Sequence, residues 1–139
     1  MIKKSIEFPG NLESLQAISQ FVVQSAKSSG LNDADIYALE LAVDEACTNI
    51  IEHAYGCQGD NKINCTCESV LDGIKVIIKD SGCAFDPKDA QKPQIGVCLE
   101  ELKSRGVGIY LMDRLMDEVN HAFIPGGGNV LTLVKRHSV

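Results

Sequence analysis

The sequence has 139 residues and a net charge of −6, with 45% hydrophobic and 23% charged residues. This length fits one domain with one core, so we expect a single domain over residues 1–139. The negative charge argues against direct nucleic-acid binding, which needs a basic face, and no apolar stretch approaches the length of a membrane span. The N-terminus alternates like a strand instead of forming a signal peptide, so we expect a cytoplasmic protein.

The first half of the chain predicts one strand followed by two helices. An alternating strand over residues 1–8 ends at Pro9-Gly10. Asn11 can then cap a helix with apolar residues at helical spacing, which ends near Gly30. Asn32 or Asp33 caps a second helix, which ends around residues 55–56. Its apolar positions are Ile36, Leu39, Val43, Cys47, Ile50, Ile51 and Ala54.

The second half predicts a hairpin, a loop, a helix and two more strands. Residues 62–70 and 74–79 form strands joined by Asp72-Gly73, which indicates an antiparallel hairpin. Residues 86–104 lose all periodicity, and a loop this long in a small domain is usually a lid or a binding loop. A third helix opens at 106–108, and strands follow at 119–124 and 130–134. The fold class is therefore α+β, a two-layer sandwich with three helices on one face of a mostly antiparallel sheet.

Six cysteines lie at positions 47, 57, 65, 67, 83 and 98, with no CxxC pair among them. Cys65 and Cys67 face the same side of a predicted strand, where they could form half of a metal site. We favour the alternative that they are small buried apolar residues.

A polar face on the second helix carries the first candidate chemistry. Glu45 and Asn49 are four residues apart, so their side chains meet on adjacent turns. A carboxylate beside an amide oxygen suits a site for Mg²⁺ and phosphate, and the carboxylate could instead accept a proton. Taken alone, these residues are better explained as a solvated polar helix face.

Two further motifs follow along the chain. Asp80 ends a β-branched strand, where it can accept a hydrogen bond from an exocyclic amine, and Gly82 would let a flat base approach the backbone. The segment Arg105-Gly106-Val107-Gly108 opens a helix, where free N–H groups favour an anion and Arg105 adds a charge. A strand-end turn and a flexible helix entry are the simpler alternatives.

The order of these motifs resembles the GHKL (Bergerat-fold) ATPases: a helical E-x-x-x-N, a strand-end D-x-G, a long loop and a G-x-G at a helix start. Within that superfamily the chain is most similar to stand-alone serine kinases that act as anti-sigma factors. The segments that carry this second resemblance are DEACTNIIEHAY at 44–55, AFDP at 84–87, RGVGIYLM at 105–112 and MDEV at 116–119. Ala84 departs from the glycine that many members have there.

The resemblance implies a role for each matching residue. It makes Glu45 the general base, Asn49 the Mg²⁺ ligand and Asp80 the acceptor for the adenine amine. It places Gly82 beside the base and gives residues 86–104 the part of an ATP lid. The residues that it places at the phosphates are Arg105, Gly106 and Gly108, and the one that supports the adenine pocket is Thr132.

The function implied is transfer of the ATP γ-phosphate to a serine of a small antagonist protein, which competes with a sigma factor for the kinase. The family precedent also implies a homodimer. One alternative is a regulatory module that binds its partner in an ATP-dependent way without catalysis. Another is a plain ATPase, although the larger GHKL enzymes use further domains.

Overall fold

The described residues form a five-stranded antiparallel sheet with two helices packed against one of its faces. The structure is a computed structural model that describes residues 3–51, 62–80, 113–124 and 128–137. The strands are β1 (Lys3–Pro9), β2 (Lys62–Val70), β3 (Gly73–Asp80), β4 (Glu118–Ile124) and β5 (Gly128–Arg136), and the helices are α1 (Ser14–Ser28) and α2 (Asp33–Asn49). The sheet order is β1-β2-β3-β5-β4. The predicted α+β class and antiparallel sheet are confirmed. The third predicted helix is described only at its end, where residues 113–115 are helical.

Local hydrogen bonds and one glycine shape the starts of both helices and the end of α1. The N-cap of α1 is Glu13 and not the predicted Asn11. The Asn11 side chain instead accepts a hydrogen bond from Ser14 N at 3.2 Å and organises the turn that leads into α1. After α1 the chain reverses at Gly30, which has φ of 85°, a conformation that favours glycine. Asn32 is the N-cap of α2 and accepts from Asp35 N at 2.8 Å. The Asn32 cap fixes the residue at which α2 begins. Because successive helical residues are about 100° apart, it also determines which side of α2 each later side chain occupies.

The core lies between the helices and one face of the sheet. Leu39, Val43 and Cys47 of α2 are fully buried, and Ile18 and Val22 of α1 pack in the same cluster. The sheet contributes alternate residues from three neighbouring strands, as their period of two requires: Ile63, Cys65 and Cys67, then Ile74, Val76 and Ile78, then Leu131 and Leu133. The opposite face of the sheet carries the intervening residues.

One glycine allows two strands to approach closely. Gly73 begins β3 opposite Arg136, and a Cβ at this position would overlap the backbone carbonyl of Lys135. The Asp72-Gly73 turn predicted from the sequence therefore also sets how tightly β3 and β5 pair. The central β3–β5 pair in turn fixes the register of Asp80, on which the candidate site depends.

Candidate functional site

A buried carboxylate marks the end of β3. The run Ile77-Ile78 leads to Asp80, which is only 3% exposed even though it is charged. It lies directly opposite Asn129 of β5, whose Nδ2 donates a hydrogen bond to Asp80 Oδ1 at 3.0 Å. The second carboxylate oxygen is also buried. A carboxylate held in this way is a fixed acceptor, which is what recognition of an exocyclic amine requires.

Helix α2 places its last turns over this strand end. Cys47 is fully buried, and the negative charges of Asp44 and Asp80 lie close enough to act on its thiol. Burial is the largest cause, and together with those charges it raises the pKa of Cys47 to about 12. Glu45 and Asn49 flank Cys47 in the sequence of α2, and at about 100° per residue their side chains point away from the buried side that carries Cys47, so their approach to the nucleotide stays a prediction.

The two polar residues of α2 differ in exposure. Glu45 is exposed and Asn49 is half-buried, and the two residues are neighbours one turn apart on the same helix face. Their separation of one turn is the one predicted from the sequence. The assignment of Glu45 as general base and Asn49 as Mg²⁺ ligand stays a prediction.

Negative charge accumulates on this side of α2. The pKa of Asp44 is raised, first because the carboxyl is partly buried and then because Glu40 and Glu45 repel its charge. Ser19 of α1 donates a hydrogen bond to Glu40 at 2.6 Å, which holds that carboxylate in place. A hard cation with oxygen ligands would offset this repulsion, so the donor set fits Mg²⁺. Across the described ranges no group of three His, Cys, Asp or Glu side chains could hold a metal by itself. Mg²⁺ needs few protein ligands when phosphates and water complete its shell.

The structure does not bring Thr132 to Asp80. Thr132 pairs with Ile77, so it projects from the face of the sheet opposite the helices, whereas Asp80 shares the helix face with Ile78. The β5 residue beside Asp80 is Asn129, which is 3% exposed. The sequence analysis did not identify Asn129. The alternation of Leu131 and Leu133 indicates the buried face of β5, and Asn129 lies on that face because it is two residues before Leu131.

The remaining predicted site residues are Gly82, Arg105, Gly106 and Gly108, and they lie outside the described residues together with the lid at 86–104. Their roles at the base and phosphates stay predictions.

Three cysteines occupy the core beneath the site. Cys47, Cys65 and Cys67 are buried free thiols. A hydrogen bond with Cys67 and burial both raise the pKa of Cys65. Their burial among apolar side chains agrees with the interpretation of Cys65 and Cys67 as small core residues. Cys57, Cys83 and Cys98 lie outside the described residues.

Comparison with known proteins identifies the family of the chain. A family model described as a histidine kinase-like ATPase domain matches residues 8–135. The chain belongs to this family. The resemblance inferred from the order of the motifs is therefore confirmed, and the described fold is that of a histidine kinase-like ATPase domain.

The similar curated proteins include serine-protein kinases named RsbW. RsbW of Bacillus licheniformis is 37% identical over 100 residues, which cover 68% of this chain and 61% of that protein. RsbW of Bacillus subtilis strain 168 is 34% identical over 105 residues, covering 70% of this chain and 65% of that protein. The matched region thus covers less than two thirds of the length of either RsbW protein.

Two solved structures share the fold. The RsbU and RsbW domains of Rv1364c from Mycobacterium tuberculosis match with a TM-score of 0.69 at 17% identity, covering 98% of this chain and 32% of that one. A blue-light activated histidine kinase domain from Erythrobacter litoralis matches with a TM-score of 0.56 at 12% identity, covering 93% and 61%. Among the described residues, no helix is long and apolar enough to cross a membrane.

Proposed function

We propose that this chain is an ATP-dependent serine protein kinase that acts as an anti-sigma factor in a partner switch. Its substrate would be a serine of a small antagonist protein. The observation that carries the proposal is the buried, hydrogen-bonded Asp80 at the end of β3, close to Cys47 of the helix that also bears Glu45 and Asn49. Membership of the histidine kinase-like ATPase family and the similarity to proteins named serine-protein kinase RsbW support it.

The proposed recognition of ATP divides between two parts of the site. Asp80 would accept a hydrogen bond from the amine of adenine, and Asn129 would hold the carboxylate in the orientation that does so. Asn49 would contribute a ligand to Mg²⁺, which neutralises phosphate charge when bound. Gly106, Gly108 and Arg105 would bind the phosphates, and Gly82 would lie beside the base.

In the proposed reaction Glu45 accepts the proton of the substrate serine as its oxygen bonds to the γ-phosphorus. The bond from that phosphorus to the β–γ bridging oxygen breaks, and ADP leaves with the electron pair. Phosphoryl transfer depends mostly on positioning and charge neutralisation, so the protein needs only these few groups. Glu45 is exposed, which suits a base that must meet a serine carried by another protein.

The proposal extends to partners and location. The unphosphorylated antagonist would compete with a sigma factor for this chain, so catalysis would reset a binding equilibrium. We also propose a cytoplasmic homodimer, in keeping with the family resemblance. Light scattering coupled to size exclusion measures the mass in solution, and a monomer mass would remove the dimer from the proposal.

The decisive experiment compares two substitutions one helical turn apart. Glu45→Gln should keep ATP–Mg²⁺ affinity within about threefold but slow phosphotransfer to a purified antagonist by roughly 10²–10⁴, the usual contribution of a general base. Asn49→Ala should weaken both, because the metal ligand serves binding as well as transfer. Calorimetry and transfer of radiolabelled phosphate measure the two quantities.

Three outcomes would change the proposal. Folded wild-type protein that gives no heat with ATP–Mg²⁺ would contradict nucleotide binding altogether. Wild-type protein that binds an antagonist only with ATP but labels no serine would favour the non-catalytic regulatory module. Equal loss of nucleotide affinity in both variants would mean that Glu45 serves the metal.

A further inference from the structure

A chain of hydrogen bonds links three neighbouring strands at the candidate site. His121 Nε2 of β4 lies 3.1 Å from Asn129 Oδ1 of β5, and Asn129 Nδ2 lies 3.0 Å from Asp80 Oδ1 of β3. Asn129 and Asp80 are both 3% exposed, whereas His121 is half-buried. The register places all three side chains on the helix face, because His121 pairs with Leu131 and Asn129 pairs with Asp80.

The chemistry of the three side chains determines which group donates and which accepts in each hydrogen bond. An ionised carboxylate only accepts hydrogen bonds, so Asn129 must present its amide nitrogen to Asp80. The amide oxygen of Asn129 then faces His121, and Nε2 must carry a hydrogen to donate to it. Rotation of the amide by half a turn would set its oxygen against the carboxylate, which is repulsive. The histidine donor therefore locks the amide in the orientation that suits Asp80.

We propose that His121 is a positioning residue for recognition of the 6-amino group of the nucleotide base. This inference rests on the proposed ATP site, but His121 acts through Asn129 and contacts no nucleotide itself. Loss of the His121 donor leaves the buried Asn129 oxygen without that bond, so the amide rotates and the carboxylate loses its fixed orientation.

The test compares two nucleotides that differ only in the amine. ATP carries the 6-amino group, and the triphosphate of purine riboside lacks it. His121→Leu should weaken ATP binding about 3- to 10-fold, the usual effect of losing one hydrogen bond in a network, and should leave purine riboside triphosphate within twofold. His121→Gln, which still offers an N–H donor, should restore ATP affinity. Calorimetry on the full chain gives all four affinities.

A second histidine supplies the matched control. His137 Nε2 lies 3.2 Å from the carbonyl oxygen of Ser29, and it follows the end of β5 that is remote from Asn129. His137→Leu should leave the affinities for both nucleotides unchanged. If His121→Leu does not fold by thermal melting, His121→Met removes the donor with a flexible side chain that adapts more easily to the site, and the same comparison applies.

The outcomes separate this inference from the proposed function. Equal weakening of both nucleotides by His121→Leu would show that His121 only supports the fold, and unchanged ATP affinity would also overturn the proposal. Failure of His121→Gln to restore binding would contradict the donor role. Wild-type protein that binds no ATP at all would contradict the proposed function itself, whatever the variants do.

Discussion

The ion pair between Lys135 of β5 and Asp35 of α2 offers a sharp test of how the helix is held on the sheet. Lys135 Nζ lies 3.8 Å from Asp35 Oδ1, with side chains only 14% and 4% exposed. The same ammonium group donates to the carbonyl oxygen of Leu115 at 3.1 Å. Lys135→Met keeps the length of the stem but removes the charge, so the buried carboxylate of Asp35 loses this compensation.

The magnitude follows from burial. Breaking a buried pair costs about 3–5 kcal/mol, and the long separation here places the loss near the lower end, so we expect Lys135→Met to lower the free energy of unfolding by about 3 kcal/mol. Urea denaturation followed by circular dichroism measures it. Lys79→Met is the control because Lys79 is exposed on the neighbouring strand. The double variant with Asp35→Asn should recover at least about 1 kcal/mol of the loss. A loss for Lys135→Met within about 0.5 kcal/mol of the Lys79→Met value would refute the reasoning.

Two predictions concern groups with raised pKa values. Because burial and the charges of Glu40 and Glu45 raise the pKa of Asp44 in the folded state, its ionisation costs stability as the pH rises through that value. Asp44→Asn should therefore add roughly 0.5 kcal/mol at pH 7 and nothing near pH 3, by urea denaturation; an equal gain at both pH values would contradict this. Since the pKa of Cys47 is raised to about 12 and that of Cys65 is also raised, both thiols stay protonated at pH 8. Iodoacetamide should alkylate them at least about tenfold more slowly in the folded than in the urea-unfolded chain, by residue-level mass spectrometry, and similar rates would show that the core opens readily.

The elements of the fold were predictable because their signals are local. Asn32 caps α2 as its side-chain chemistry requires, and the Asp72-Gly73 turn joins β2 to β3 as predicted. The alternation of Cys65 and Cys67 with polar neighbours identified the buried face of β2. Each of these features depends on residues within a few positions of one another, and their order along the chain limits the possible topologies.

The pairing of strands that are distant in the sequence could not be predicted from local patterns. The sheet order puts β5 between β3 and β4, so Asp80 and His121 come to lie on either side of Asn129. Nothing near any one of these residues in the sequence indicates the other two. The hydrogen-bond chain at the candidate site is therefore a product of register, which becomes visible only when the strands are paired.

Strand parity also decides between Asn129 and Thr132 as the residue that supports Asp80. Thr132 pairs with Ile77 and Asn120 and projects from the face of the sheet away from the helices, whereas Asn129 donates directly to Asp80. Thr132→Val, which conserves shape and strand preference, should therefore leave ATP affinity within twofold. Asn129→Leu replaces the buried amide donor with an apolar side chain of similar size. It should weaken ATP binding about tenfold, which corresponds to about 1.4 kcal/mol. Calorimetry on variants with unchanged far-ultraviolet circular dichroism makes the comparison. Weakening by Thr132→Val as strong as that by Asn129→Leu would mean that the nucleotide contacts the other face of the sheet, and the assignment of the pocket to the helix face would fall with it.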